Sequence, residues 1–354
     1  MNKLNSLIAI AFLAVTFTAC KKNTEEPIFV APPSDGSTLT LNGLIGAEAG
    51  SAAGNSVYVD FSADKQTSIE RDSWDLGFYS GTDFKVILNS SSGASALVIN
   101  KTDLNAVTIA DFDPNALKVG QGLGNFSIVD DGREANILNK TAIAAISSTD
   151  AENKVYIINR KGGAATVLAN EELYKIRIIR KGATGYTLQY AKVTETTFKT
   201  LDVIKNAEAN FQFASLVKGT VTAEPAKANW DIVWGYSMYW TSTVPYAFSD
   251  MVFINNIAGV SAASVAVTDT KNYNTFSESD IASITFLTNR DVIGSKWRTS
   301  PNSQGVGGAV ESKVFYVIKD GSGNVYKLKF VSYISADGGT RGKPVIEYKL
   351  VKKG

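Results

Sequence analysis

The chain has 354 residues with no histidine, one cysteine and three methionines, so few of its side chains can do acid–base, nucleophilic or metal chemistry. Without an imidazole there is no Ser/His/Asp or Cys/His constellation and no ordinary zinc site. Carboxylates remain, and two of them facing across a groove suffice to hydrolyse a glycosidic bond. The acids in the most distinctive setting are Asp75 and Asp231, which directly follow Trp74 and Trp230. An aspartate at a strand edge beside a buried tryptophan usually accepts backbone or indole hydrogen bonds. Its recurrence at two equivalent places argues for a structural role over catalysis. The run Gly305-Val306-Gly307-Gly308 lacks the strand, lysine and helix of a phosphate cradle and reads as a loop. No enzyme is expected, and a carboxylate-dependent glycosidase stands last among the readings.

A denser group follows the second tryptophan. Trp230, Trp234, Tyr236, Met238, Tyr239, Trp240, Tyr246, Phe248, Met251 and Phe253 fall within about two dozen residues, where the corresponding stretch after Trp74 holds only Phe78, Tyr79 and Phe84. Such a cluster either packs a core or forms an apolar cleft for a flat or sugar-like ligand. Tyr236, Tyr239, Trp240 and Tyr246, with Met238 and Met251, are the candidate ligand-binding residues.

The elements that must position them are duplicated. Ser73-Trp74-Asp75-Leu76-Gly77-Phe78 returns as Asn229-Trp230-Asp231-Ile232-Val233-Trp234. Val155–Gly162 leading to Tyr174–Ile179 returns as Val314–Gly321 leading to Tyr326–Val331, and Tyr186–Val193 returns as Ile346–Val351. The period is roughly 155 residues, the size of a whole domain and far longer than a solenoid repeat. Strand signals dominate: Ser56–Phe61, Phe84–Leu88, Lys154–Ile158, Tyr174–Arg180 and Val325–Phe330 alternate apolar and polar residues, which favours antiparallel sheets with one wet face. Lys181–Gly185 and Asp320–Asn324 read as hairpin loops, and short helices are expected in Asp103–Phe112 and Ser277–Leu287, the latter capped by Ser277 or Ser279. The second copy is longer around Ser242–Pro245. The fold expected is all-β, two tandem and related antiparallel β domains at 39–197 and 198–354, with 194–206 as a packed connector.

Residues 1–19 read as a signal peptide, with Lys3 followed by a short apolar run too short for a stable membrane anchor. Cys20 follows Thr18-Ala19, the setting of a bacterial lipoprotein cleavage box, and is the expected lipidation site. Residues 20–38, polar and rich in proline, read as the tether. An exported outer membrane lipoprotein is expected, on the periplasmic or the cell-surface side, touching membrane through its lipid only. The 35 Lys and Arg against 34 Asp and Glu leave no net field to attract nucleic acid.

At the Trp-Asp blocks the chain resembles the HmuY-like family of exported, all-β haem-binding lipoproteins. The second copy carries the fuller likeness: Trp230-Asp231-Ile232, then Val252–Asn256 with Gly259, Ile293–Trp297, Val314–Ser332 and Tyr348. The resemblance implies haem gripped by paired axial side chains, histidine or methionine. This chain has no histidine, so Met238 and Met251 are the implied iron ligands, with Tyr236, Tyr239 and Tyr246 as further candidates. The function expected is ligand capture, haem or porphyrin first. The alternative is a haem-less interaction module that binds glycan or a protein partner through the aromatic face of the second domain.

Overall fold

The computed structural model describes residues 31–163, 165–302 and 306–354. The signal peptide, Cys20 and Gly305 therefore lie outside the described residues. Residues Pro33–Gly354 form one compact unit. Among the described residues no helix is long and apolar enough to cross a membrane.

The first copy supplies β1 (Gly36–Thr40), β2 (Asn55–Asp60), β3 (Lys65–Glu70), β4 (Leu76–Tyr79), β5 (Val86–Leu88), β6 (Ser95–Ile99), β7 (Val155–Asn159), β8 (Tyr174–Lys181) and β9 (Gly185–Lys192). The second supplies β10 (Lys199–Ile204), β11 (Phe211–Ser215), β12 (Gly219–Val221), β13 (Ile232–Thr241), β14 (Val244–Ile254) and β15 (Ser261–Ala266). It ends with β16 (Arg298–Thr299), β17 (Ala309–Val310), β18 (Val314–Lys319), β19 (Val325–Ser332) and β20 (Val345–Lys352). The alternating segments form strands as expected. The loops after β8 and β18 turn at Gly182 and Gly323, both at positive φ, where a side chain would be strained. The two helical segments are 3₁₀ turns, Ile109–Asp111 and Glu278–Ser283, closed by capping boxes from Thr108 to Asp111 and from Ser277 to Asp280.

The sheets repeat the duplication with one difference from a simple tandem. Two five-stranded sheets run β10-β9-β8-β7-β6 and β1-β20-β19-β18-β15, and two four-stranded sheets run β12-β11-β4-β5 and β3-β2-β13-β14. The orders match strand for strand between copies. Strands β1 to β3, however, pair with the second copy, β1 on β20 and β2 on β13, while β10 and β11 pair with β9 and β4 of the first. The boundary expected at 197/198 falls in the link between β9 and β10. It separates β9 from its neighbour β10, whereas sheet pairing divides the chain into a continuous lobe of residues 72–227 and a lobe closed by residues 33–71 with 228–354.

Each repeated Trp-Asp block locks this exchange. Asp75 Oδ2 accepts the Leu216 amide at 2.6 Å, and Asp231 Oδ2 accepts the Phe61 amide at 2.8 Å, so each aspartate ties its strand to one from the other copy. Asn89 Nδ2 donates to the carbonyls of Arg71 and Trp74, and Asn255 Nδ2 to those of Lys227 and Trp230. The copies then differ in charge. Arg160 Nε lies 2.6 Å from Asp75 Oδ1, a buried ion pair. Among the described residues Asp231 has no cation and instead faces Asp60 and Asp320, and burial first, with those two acids, pushes its pKa up to about 8.

Candidate functional site

The extra length of the second copy is a hairpin. Strands β13 and β14 have ten and eleven residues against four and three for β4 and β5, and they turn at Ser242, at positive φ. Period-2 alternation then divides the candidate residues between two faces. On one face Tyr239 pairs directly across from Tyr246, and Phe248 stands edge-on to both, with ring centroids at 5.7 and 5.4 Å. Phe253 continues the row at 6.2 Å from Tyr239. Tyr239, Tyr246 and Phe248 are half-buried, so their rings remain open to a ligand. Arg290 stacks over Phe253 at 4.0 Å.

On the other face Tyr236, Met238 and Trp240 pack with Ala247 against Val119, Phe126, Ile128 and Val129 of the first copy. Met238 is 4% exposed and Met251 0%, the latter opposite Gly235 beyond a bulge. Tyr239, Tyr246, Phe248 and Phe253 thus stand in one row, whereas Met238 and Met251 are buried at separate places in the hairpin. Their sulfurs are packing atoms.

Haem iron finds little here to bind. There is no histidine, both sulfurs are buried, and among the described residues no cluster of three Asp, Glu, Cys or His is placed to hold a metal ion. The Tyr239 hydroxyl donates to the Asp291 carboxylate, and burial together with that acid pushes its pKa well above the usual phenol range, opposite to what a tyrosinate ligand needs. Tyr236 donates weakly to the Gly163 carbonyl at 3.4 Å, and burial raises its pKa as well. Among the described residues, Tyr246 is the tyrosine of the open face whose hydroxyl makes no hydrogen bond. Among the described residues, these side chains do not offer the paired axial grip on a haem iron.

A second concavity lies between the two four-stranded sheets. Trp74 and Trp230, the two repeat markers, both line it, with Tyr58, Phe211, Phe213 and Arg71. Trp74 meets Phe213 edge-on at 4.8 Å, and Trp230 meets Tyr58 edge-on at 5.0 Å. Beside Asp130, Asn255 and Asn256, its polar lining includes three residues from other segments, Asn210, Glu224 and Arg290. None of these three stands in a recognisable motif, and the strand exchange that brings them together is written in no local pattern.

The family model for HmuY, described as HmuY protein, matches residues 52–348. No curated protein and no solved structure matches. The match begins before β2 and ends within β20, so it leaves out β1 and reaches every later strand. The chain belongs to the HmuY family.

Proposed function

We propose that this chain is an exported, non-enzymatic binding protein that holds a flat, largely apolar ligand against the outer face of the β13–β14 hairpin. Haem or a related porphyrin is the first ligand to test, because the HmuY family is one of haem-binding exported proteins. The observation that carries the reading is the half-buried row Tyr239, Tyr246 and Phe248, built on a hairpin extension that the first copy lacks. Aromatic faces held in place by their neighbours present area to a planar ligand at little entropic cost. Binding on this face is by ring contact, with no side chain supplying a paired ligand set to iron. Export through residues 1–19 and lipidation at Cys20 belong to the same proposal, with the membrane reached through the lipid alone.

The test is an absorbance titration of the protein with haemin. Tyr246→Ala and Phe248→Ala are each expected to weaken the saturable change by about fivefold, the loss of one aromatic contact. Met238→Leu, a volume-conserving change on the opposite face, is expected to leave it within about twofold of the parent. Haemin binding indifferent to Tyr246 and Phe248 overturns the assignment of the face. Absence of any saturable change overturns the porphyrin reading and turns the search to a glycan or a protein partner on the same aromatic row.

A further inference from the structure

The first copy closes its Trp-Asp block with an ion pair, and the second copy keeps the aspartate without the cation. Arg160 Nε donates to Asp75 Oδ1, while Asp75 Oδ2 accepts the Leu216 amide. Strand pairing identifies the residue that takes the place of Arg160. Counted from Asn89 and Asn255, which hold the two blocks by the same kind of bonds, Ser95 and Ser261 are equivalent. Ser95 pairs with Asn159 on β7, and Ser261 pairs with Lys319 on β18. The next residue is Arg160 in one copy and Asp320 in the other. One position has exchanged a cation for an anion, opposite an aspartate that both copies retain.

Where the arginine would lie there is a concavity with a free volume of about 310 Å³, lined by Asp231, Asp320, Trp230, Lys227 and Ser62. Asp231 is 6% exposed. Its Oδ2 accepts the Phe61 amide, and among the described residues its Oδ1, the oxygen that meets Arg160 in the first copy, has no hydrogen bond. Asp320 is fixed by the loop it closes, accepting the Ser322 and Asn324 amides and the Asn324 side chain. Its charge therefore cannot turn away. Lys227 is the cation of the lining, and among the described residues it forms no ion pair with either acid. A buried carboxylate oxygen without a partner is costly, and the raised pKa of Asp231 has that cause. No group of three Asp, Glu, Cys or His among the described residues is placed to hold a metal ion, which disfavours a metal as the occupant. The cation that this block accommodates in the first copy is a guanidinium, a planar donor matched to carboxylate oxygens.

We propose that this concavity is a second binding site, for a guanidinium group, which donates to Asp231 Oδ1 in the place that the Arg160 side chain takes in the first copy, with Asp320 as its countercharge. The site shares no residue with the aromatic row Tyr239, Tyr246, Phe248 and Phe253.

The experiment is calorimetric titration of the full chain at pH 8.5 with methylguanidinium, its neutral isostere methylurea, calcium and N-acetylarginine amide. Methylguanidinium is expected to bind at least about tenfold more tightly than methylurea, the difference that a charge-assisted bond makes. N-acetylarginine amide separates the sources of the group: affinity equal to or above that of methylguanidinium assigns the site to an arginine of a peptide, and lower affinity assigns it to a small free cation. Asp231→Asn keeps an oxygen for the Phe61 amide and removes the charge, and is expected to weaken methylguanidinium at least about tenfold with methylurea little changed. If that variant fails to fold, Asp320→Asn removes the countercharge and serves the same comparison. Asp60, Asp320 and the Tyr326 phenol face Asp231, and burial holds that phenol above its usual range, so it stays neutral at pH 8.5. At pH 6 the ligand must displace the proton that Asp231 then carries, and binding is expected to be at least about tenfold weaker than at pH 8.5. Equal binding of methylguanidinium and methylurea by the parent chain overturns the proposal, as does tightest binding of calcium, no binding, or binding indifferent to Asp231→Asn. Methylguanidinium binding that appears only in Lys227→Gln shows that Lys227 already fills the place, and overturns it too.

Discussion

Replacing Asp75 by asparagine is expected to cost about 3 kcal/mol of folding stability, whereas the same change at Asp231 costs less than about 1 kcal/mol at pH 7. The two residues occupy the same place in the duplicated fold and accept the same kind of cross-copy amide. An asparagine oxygen can keep that bond in either copy. At Asp75, however, the change strips the charge from a buried pair and leaves Arg160, whose side chain is 15% exposed, without its carboxylate. Among the described residues Asp231 has no cation to lose. Its raised pKa, about 8, means that the folded chain holds it protonated at neutral pH.

The sign of the pH dependence follows from that shift. A group whose folded pKa is raised contributes stability that is full below its unfolded value, near 3.8, and is lost as the pH rises through about 8. Asp130 and Glu224, raised by burial to about 7 and about 8, act in the same direction. Urea unfolding of both variants at pH 5, 7 and 9 checks this. The parent loses stability between pH 5 and 9, and Asp231→Asn loses less of it. Equal cost at both positions at pH 7 contradicts the account of the duplicated aspartates.

The strand exchange makes a larger, all-or-none prediction. A fragment of residues 72–227 is expected to unfold in a single cooperative transition, and a fragment of residues 33–197 to show none. The first contains both complete sheets of its lobe, β10-β9-β8-β7-β6 and β12-β11-β4-β5. The second carries β1 to β3 without β20 and β13, and it leaves β4 and β9 without β11 and β10. Long unpaired strand edges and bare apolar faces such as those of Val57 and Val59 favour association over folding. Urea titrations followed by far-UV circular dichroism distinguish the two fragments. A cooperative 33–197 fragment beside a disordered 72–227 fragment restores the sequential boundary.

These two expectations mark where the sequence was legible and where it was not. The alternation in Tyr174–Arg180 and Val325–Phe330 encodes a strand with one dry face, and those segments are β8 and β19. The recurring Trp-Asp blocks encode the duplication, and both aspartates hold backbone amides as a structural aspartate should. Alternation does not encode which strand a neighbour will be, because β2 buries Val57 and Val59 equally well beside β13 or within its own copy. The exchange of β1 to β3 was therefore invisible. The same pleat explains the methionines. Met238 and Met251 are close in the chain, but alternation turns Met238 toward the first copy, and the bulge between Gly235 and Ser237 sets Met251 in a separate register. The aromatic row survived because Tyr239, Tyr246 and Phe248 are related by direct pairing and a step of two.

The central functional claim is that a porphyrin is held here by its ring and not by its iron. Titrating the protein in parallel with haemin and with iron-free protoporphyrin, each in parent and Tyr246→Ala forms, tests it most directly. The account predicts that the two ligands bind with affinities within about threefold of each other and weaken together in the variant, since ring contact is common to both. Tight binding of haemin alone, with iron-dependent bands that Met238→Ala or Met251→Ala abolishes, would contradict it and show that a buried sulfur turns out to meet the metal.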